Sequence, residues 1–150
     1  MKPVLVLLLL LMGVSAAPHA LARACAFTLA SNDQMRFDTT TLKVGADCTE
    51  VVVTLRHTGS LSAKAMGHNW VLTRSADLQA LAMDAMRARF EDDYLPPGDA
   101  RVIAHTPLIG GGQRTSVRFP TTRLRKGTAY TFFCSFPGHF GLMRGTLSFG

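Results

Sequence analysis

The segment Cys134-Ser135-Phe136-Pro137-Gly138-His139-Phe140-Gly141-Leu142-Met143 sets cysteine, histidine and methionine in the order C-x4-H-x3-M. On either side, residues 130–135 and 144–149 read as strands, so the three side chains share one loop. A soft thiolate, an imidazole and a thioether gathered on a short loop suit copper. Upstream, Met66-Gly67-His68-Asn69-Trp70 offers a second imidazole at the start of a further strand. His68, Cys134 and His139 supply a plane of two imidazole nitrogens and one sulfur, and Met143 supplies a weak axial sulfur. That donor set is the arrangement of electron-transfer copper sites. Copper alternates between a +1 state that favours sulfur and a +2 state that favours nitrogen. A mixed set held between the two preferences lets little rearrange when an electron moves. Pro137 and Gly138 stiffen and turn the loop, and Phe132, Phe133, Phe136 and Phe140 surround it with apolar rings. Zinc accepts the same thiolate and imidazole donors but offers no redox role.

Working outward, the rest of the mature chain reads as strand. Residues 25–30, 35–44, 51–56, 69–73, 101–105 and 115–119 are short apolar or alternating segments with turn residues between them. Gly110-Gly111-Gly112 is a turn and not a phosphate loop, because neither a helix pattern nor Lys-Ser/Thr follows. Residues 75–90 depart from the pattern. Leu78, Leu81, Ala82, Ala85, Met86 and Phe90 form a helical stripe, with Ser75 as N-cap and Asp77 in the first turn. One helix among seven or eight short strands predicts an all-β Greek-key β-sandwich carrying a helical flap.

The front of the chain reads as an export signal. Lys2 precedes an apolar run from Val4 to Met12, which is too short before Pro18 and His19 to span a membrane. Ala20-Leu21-Ala22 is an A-x-A cleavage site and Ala22-Arg23-Ala24 is a second. Cleavage after Ala22 divides the chain into a signal at 1–22 and a domain at 23–150, with no membrane insertion after the cut. Lipidation at Cys25 is the competing reading, disfavoured by Arg23 in the middle of the preceding triplet. The 150 residues are 47% hydrophobic and 17% charged, enough for one domain with a true core. The net charge is +6, and loss of Lys2 leaves a moderate basic surplus. The charges are scattered apart from Arg123-Leu124-Arg125-Lys126, which reads as a solvated turn. With no longer basic stripe and no interleaved aromatics, the sequence gives a nucleic-acid role no support.

Export places Cys25, Cys48 and Cys134 where disulfides form. Three is an odd number, so one pair and one free thiol is the simplest division. Cys25 opens the first strand and Cys48 precedes the third, and neighbouring strand ends could bring them together. His57 and His105 are left out of the metal set, since a lone histidine is more often packed or exposed than ligating. Trp70 follows His68 by two residues on the same strand face and reads as core.

Four segments carry a wider resemblance: Asn32-Asp33-Gln34-Met35, Met66-Gly67-His68-Asn69-Trp70-Val71-Leu72, Arg101-Val102-Ile103-Ala104-His105-Thr106 and Phe132-Phe133-Cys134-Ser135-Phe136-Pro137-Gly138-His139. In these the chain resembles the azurin family of bacterial periplasmic cupredoxins, over nearly all of the mature sequence. The resemblance implies a cupredoxin-like sandwich holding one type 1 copper. His68, Cys134 and His139 would be its equatorial ligands, Met143 the distant axial one, and the Gly67 carbonyl the weak ligand opposite. It implies a Cys25–Cys48 disulfide. It makes Asn69 a tie between the two ligand segments and the Phe136 amide a donor to the thiolate. It also implies a periplasmic location, no enzymatic activity, and redox partners such as c-type cytochromes or copper and haem reductases. Met35, Leu61, Ala65, Met66, Phe136, Pro137 and Leu142 would form an apolar docking patch around His139.

Two departures stand out. Phe140 and Gly141 replace the small polar residue and alanine that the family usually places beside His139. His57-Thr58-Gly59 replaces the family's frequent His-Pro-Gly and weakens any carry-over of a pH-linked peptide flip. Two other functions compete with electron carriage. A copper oxidase or nitrite reductase needs a second copper fed by histidines beside the cysteine, and Cys134 has Phe133 and Ser135 as neighbours. Copper storage or delivery wants exposed, exchangeable ligands, which a buried three-ligand loop does not provide.

Overall fold

The computed structural model describes residues 23–150; the signal expected at 1–22 and its expected cleavage after Ala22 lie outside the described residues. Among the described residues nine strands form two sheets. They are β1 (Ala24–Asn32), β2 (Arg36–Phe37), β3 (Thr41–Val44), β4 (Glu50–His57), β5 (Val71–Arg74), β6 (Ala104–His105), β7 (Arg114–Pro120), β8 (Tyr130–Phe133) and β9 (Arg144–Phe149). The four-stranded sheet runs β2-β1-β4-β7 and the five-stranded sheet runs β3-β9-β8-β5-β6. β1 pairs parallel to β4, and β3 parallel to β9, while the other pairs are antiparallel. Parallel neighbours cannot be joined by a hairpin. The chain therefore crosses to the other sheet and back between β1 and β4, which makes the Greek-key sandwich expected from the strand spacing.

Alternation builds the core. Val51, Val53 and Leu55 of β4 point inward with Leu29 of β1, and meet Leu42, Leu72, Phe132 and Leu147 from the facing sheet. Trp70 is fully buried in this core and stacks between Phe132 and Phe119 at 5.8 and 6.3 Å. Every residue of β8 is buried, because its sheet is covered on both faces. Tyr130 and Phe132 enter the main core, whereas Phe133 joins Val71, Leu81, Ala82 and Leu95 in a second cluster beneath the helical flap.

The flap is shorter than its apolar stripe. A 3-10 turn over Ser75–Asp77 leads into the α-helix Leu78–Ala85. Ser75 does not cap it; the Ser75 hydroxyl shares a hydrogen bond with Thr131 at 2.8 Å. After Ala85 the bonds tighten to i→i−3, with Arg87 N–H on Asp84 O and Ala88 N–H on Ala85 O. Met86 is consequently exposed, and Phe90 packs edge-on against Tyr94. The expected strand over 35–44 divides into β2 and β3, since Met35 takes a left-handed backbone (φ 55°) and closes a turn on Asn32. The expected strand over 101–105 shrinks to β6, because Val102 N–H is drawn into a turn on Asp99 O.

Strand direction positions the site. β1 and β4 both end, and β8 ends as β9 begins, at the same end of the sandwich. There Val71 opposes Phe133, so the segment before β5 lies beside the segment after β8. At the opposite end the parallel β1–β4 register places Cys25 opposite Val51. Cys48 is therefore within reach, and the two form the disulfide with Cα atoms 5.8 Å apart. Cys134 remains a buried free thiol.

Candidate metal centre

Cys134 follows β8 and Met143 precedes β9, and Cys134 N–H donates to Met143 O at 3.0 Å. The ligand loop is thus the mouth of a β-hairpin, closed by its own first and last residues. Within it, His139 N–H donates to Phe136 O at 3.0 Å, with Gly138 at φ 83°. Proline at the second turn position and left-handed glycine at the third are the chemistry of a type II turn. His139 O then accepts the N–H groups of Leu142 and Met143, which carries the chain back towards β9.

His68 is not in a strand, contrary to the expectation that it begins one. It forms an isolated bridge with Ile109 just before β5. Its ring reaches the loop from the other segment. Cys134 Sγ lies 3.9 Å from His68 Nδ1 and 3.7 Å from His139 Nδ1. The sulfur and the two ring nitrogens all fall within 4.8 Å of one another, and all three residues are buried. The Gly67 carbonyl oxygen is 3.9 Å from the same sulfur. A Cβ on Gly67 would come within 2.4 Å of Ala63 O and 2.7 Å of Leu108 Cδ2. Only glycine allows that carbonyl to approach the sulfur. Met143 is fully buried and packs in the main core with Cys134.

Hydrogen bonds prepare the donors. His68 Nε2–H donates to Asn32 O at 2.8 Å, which leaves the Nδ1 lone pair facing the sulfur. Asn69 Nδ2–H donates to Ser135 Oγ at 2.7 Å, and Ser135 N–H donates to Asn69 Oδ1 at 2.9 Å. Asp93 O accepts from both Asn69 and Ser135. The backbone N–H groups of Asn69 and Phe136 point at the Cys134 sulfur and favour its thiolate, but burial outweighs them and pushes the thiol up to about 12. Burial likewise holds the His68 and His139 imidazoles down at about 4, so both are neutral at pH 7. Two neutral imidazoles and a thiol that ionises only beside a cation are donors in want of a soft metal. The set fits copper.

A sequence profile of the copper binding proteins, plastocyanin/azurin family, matches residues 23–150. The chain belongs to the plastocyanin/azurin family. Among its relatives, azurin of Bordetella pertussis is 49% identical over 137 residues, covering 91% of each chain. Azurin of Pseudomonas aeruginosa is 46% identical over 138 residues, covering 92% of this chain and 93% of its own. The solved structure of the azurin Az-iso2 from Methylomonas sp. strain J superposes with a TM-score of 0.81 at 47% identity, covering 84% of this chain and 98% of that one. With its azurin-type fold and the His68-Cys134-His139 cluster, this is a copper-binding cupredoxin of the electron-transfer kind.

The residues expected to form an apolar patch lie in loops at this end of the azurin-like sandwich, except Ala65 and Met66, which sit in the one-turn helix Ala63–Met66. Leu142 and Leu61 are 66% and 42% exposed. Ala65 is exposed, whereas Met35, Met66, Phe136 and Pro137 are half-buried. Phe136 stacks on the His139 ring at 4.4 Å, and Tyr94 meets Phe136 edge-on at 5.2 Å. His105 points outward. His57 is buried and stacks on His68 at 4.5 Å, with its Nε2 on Met66 O. Residue patterning did not single out Asn32, Asp93 or Tyr94 for these roles. Asp93 and Tyr94 adopt left-handed backbones, with φ 54° and 51°; aspartate tolerates that conformation better than most residues, whereas tyrosine gives no sign of it.

Proposed function

We propose that the protein is a periplasmic blue copper protein that shuttles single electrons between redox partners. The observation that carries this reading is the convergence of His68, Cys134 and His139, from two separate segments, in a buried apolar pocket. One copper would be held by these three, with the Met143 thioether and the Gly67 carbonyl as further, weaker donors. When bound, it supplies a one-electron Cu(II)/Cu(I) couple. The chain's own residues keep both imidazoles neutral, orient His68 through Asn32, exclude water with Phe132, Phe133 and Phe136, and resist rearrangement through the Asn69–Ser135 tie. Residues 1–22 act as the export signal and 23–150 as the working domain. The protein is not an enzyme: beside Cys134 stand Phe133 and Ser135, and neither can feed a second metal. Electrons pass through the His139 edge, across the patch of Met35, Leu61, Ala65, Met66, Phe136, Pro137 and Leu142, to partners such as c-type cytochromes or copper and haem reductases. Storage or delivery of copper is disfavoured by the burial of all three donors.

The deciding experiment is a visible spectrum of the purified protein with copper(II), before and after ascorbate. An intense red-region charge-transfer band that ascorbate bleaches supports the reading. A colourless protein with a weak tetragonal spectrum overturns it. Periplasmic fractionation with N-terminal sequencing checks cleavage after Ala22.

A further inference from the structure

Beside the apolar patch runs a groove of about 280 Å³ lined by Arg36, Phe37, Thr40, Leu142 and Arg144. Leu142 is the most exposed large apolar side chain among the described residues. The two arginines come from different strands, the start of β2 and the start of β9, so the fold alone brings them into one groove with Leu142. Carboxylates are spent elsewhere. Among the described residues the arginines within ion-pair reach of an acid are Arg23, Arg87, Arg89, Arg101 and Arg118. Residues 1–22 contain no aspartate or glutamate that might neutralise the groove. The two carboxylates that flank Arg36 in sequence are engaged by backbone: Asp33 by the N–H groups of Ser60 and Leu61, and Asp38 by that of Ala30.

We infer that this groove is the recognition half of the electron port, and that it takes a carboxylate-bearing segment at the acidic rim of a redox protein. The inference rests on the electron-carrier reading and adds the chemistry of the partner. An apolar contact at Leu142 and His139 is brief and unselective. Two unpaired guanidinium groups beside it select an acidic rim, because each forks two N–H donors onto a carboxylate. Such rim charges act chiefly on encounter rate and salt dependence. The same charges make two copies of this protein repel at the port, so self-exchange should speed up with salt while transfer from an acidic partner slows down.

The test uses the copper-loaded protein and two reduced c-type cytochromes as probes, one of net negative and one of net positive charge, followed at the haem band in low and high salt. The expected result is faster oxidation of the acidic cytochrome, with the advantage lost in high salt. Arg36→Glu/Arg144→Glu should lower that rate about tenfold in low salt and reverse its salt dependence. Arg125→Glu/Lys126→Glu, an equal charge change at the opposite end of the sandwich, should have little effect. In the copper(I) protein, the acidic cytochrome should shift the amide signals of Arg36, Leu142 and Arg144. The inference is overturned if both double variants slow transfer equally, or if those amides do not shift. Leu142→Lys separates the two readings. If it slows both cytochromes while the groove variant slows neither, the port stands and the groove fails. If Leu142→Lys changes nothing, the port itself is misplaced.

Discussion

Asn69 and Ser135 exchange hydrogen bonds in both directions, side-chain amide to hydroxyl at 2.7 Å and backbone N–H to side-chain carbonyl at 2.9 Å. Both residues are buried, and each is adjacent in sequence to a proposed ligand, His68 and Cys134. Asn69→Ala would leave the Ser135 N–H without its acceptor, while the Ser135 hydroxyl keeps its bond to Asp93 O. A buried polar group so stranded costs about 1–3 kcal/mol. Urea unfolding should show a loss of about 2 kcal/mol, and the copper-loaded variant should give a broadened visible band.

The thiolate of Cys134 and the thioether of Met143 should respond differently to replacement. Cys134→Ser removes the soft sulfur and should abolish the red-region band while copper still binds weakly. Met143→Ala should keep the band and move the reduction potential. Absorption spectra and cyclic voltammetry read the two outcomes.

Stability of the copper-free protein should fall in acid through its imidazoles. His68 and His139 are held at about 4 in the fold by burial, against an ordinary 6.5. Between those values the unfolded chain binds protons that the folded chain refuses. Their contribution is fully present above pH 6.5 and is lost as pH falls towards 4. Urea midpoints should drop across that window. His68→Phe/His139→Phe should flatten the drop.

Phe140 ties the ligand loop to the helical flap by packing against the cluster of Val71, Leu81, Ala82, Leu95 and Phe133. Phe140→Ala should cost about 2 kcal/mol, below the range for a fully buried ring because Phe140 is half-buried. It should also speed copper loss to a chelator. Leu124→Ala, in the main core, should destabilise the fold with a smaller change in copper loss.

Thiol titration of the denatured protein should find one reactive thiol, Cys134, with Cys25 and Cys48 bonded. Cys25→Ser/Cys48→Ser opens a loop of sequence separation 23 and should cost about 3 kcal/mol in the chain-entropy model. Its visible spectrum should be unchanged, since the disulfide lies at the end opposite the metal centre.

The cluster of His68, Cys134 and His139 was legible in the chain because two of its members share one loop, where sequence spacing and spatial spacing nearly coincide. Alternation in 51–56 and the aromatic run before Cys134 likewise disclosed a sandwich, because a strand half-buried between layers must alternate. Boundaries were less legible. The stripe from Leu78 to Phe90 matches a long helix, yet tertiary packing accepts it only to Ala85, where the covered cluster ends. Tertiary structure alone decided that Asn32 O fixes the His68 ring, that Asp93 O joins Asn69 to Ser135, and that Arg36 and Arg144 share a groove with Leu142. Those relations bind residues dozens to more than a hundred positions apart, through backbone atoms and strand ends that carry no residue-type signature. Their meeting depends on the parallel and antiparallel registers that bring β1, β5, β8 and β9 to one end of the sandwich.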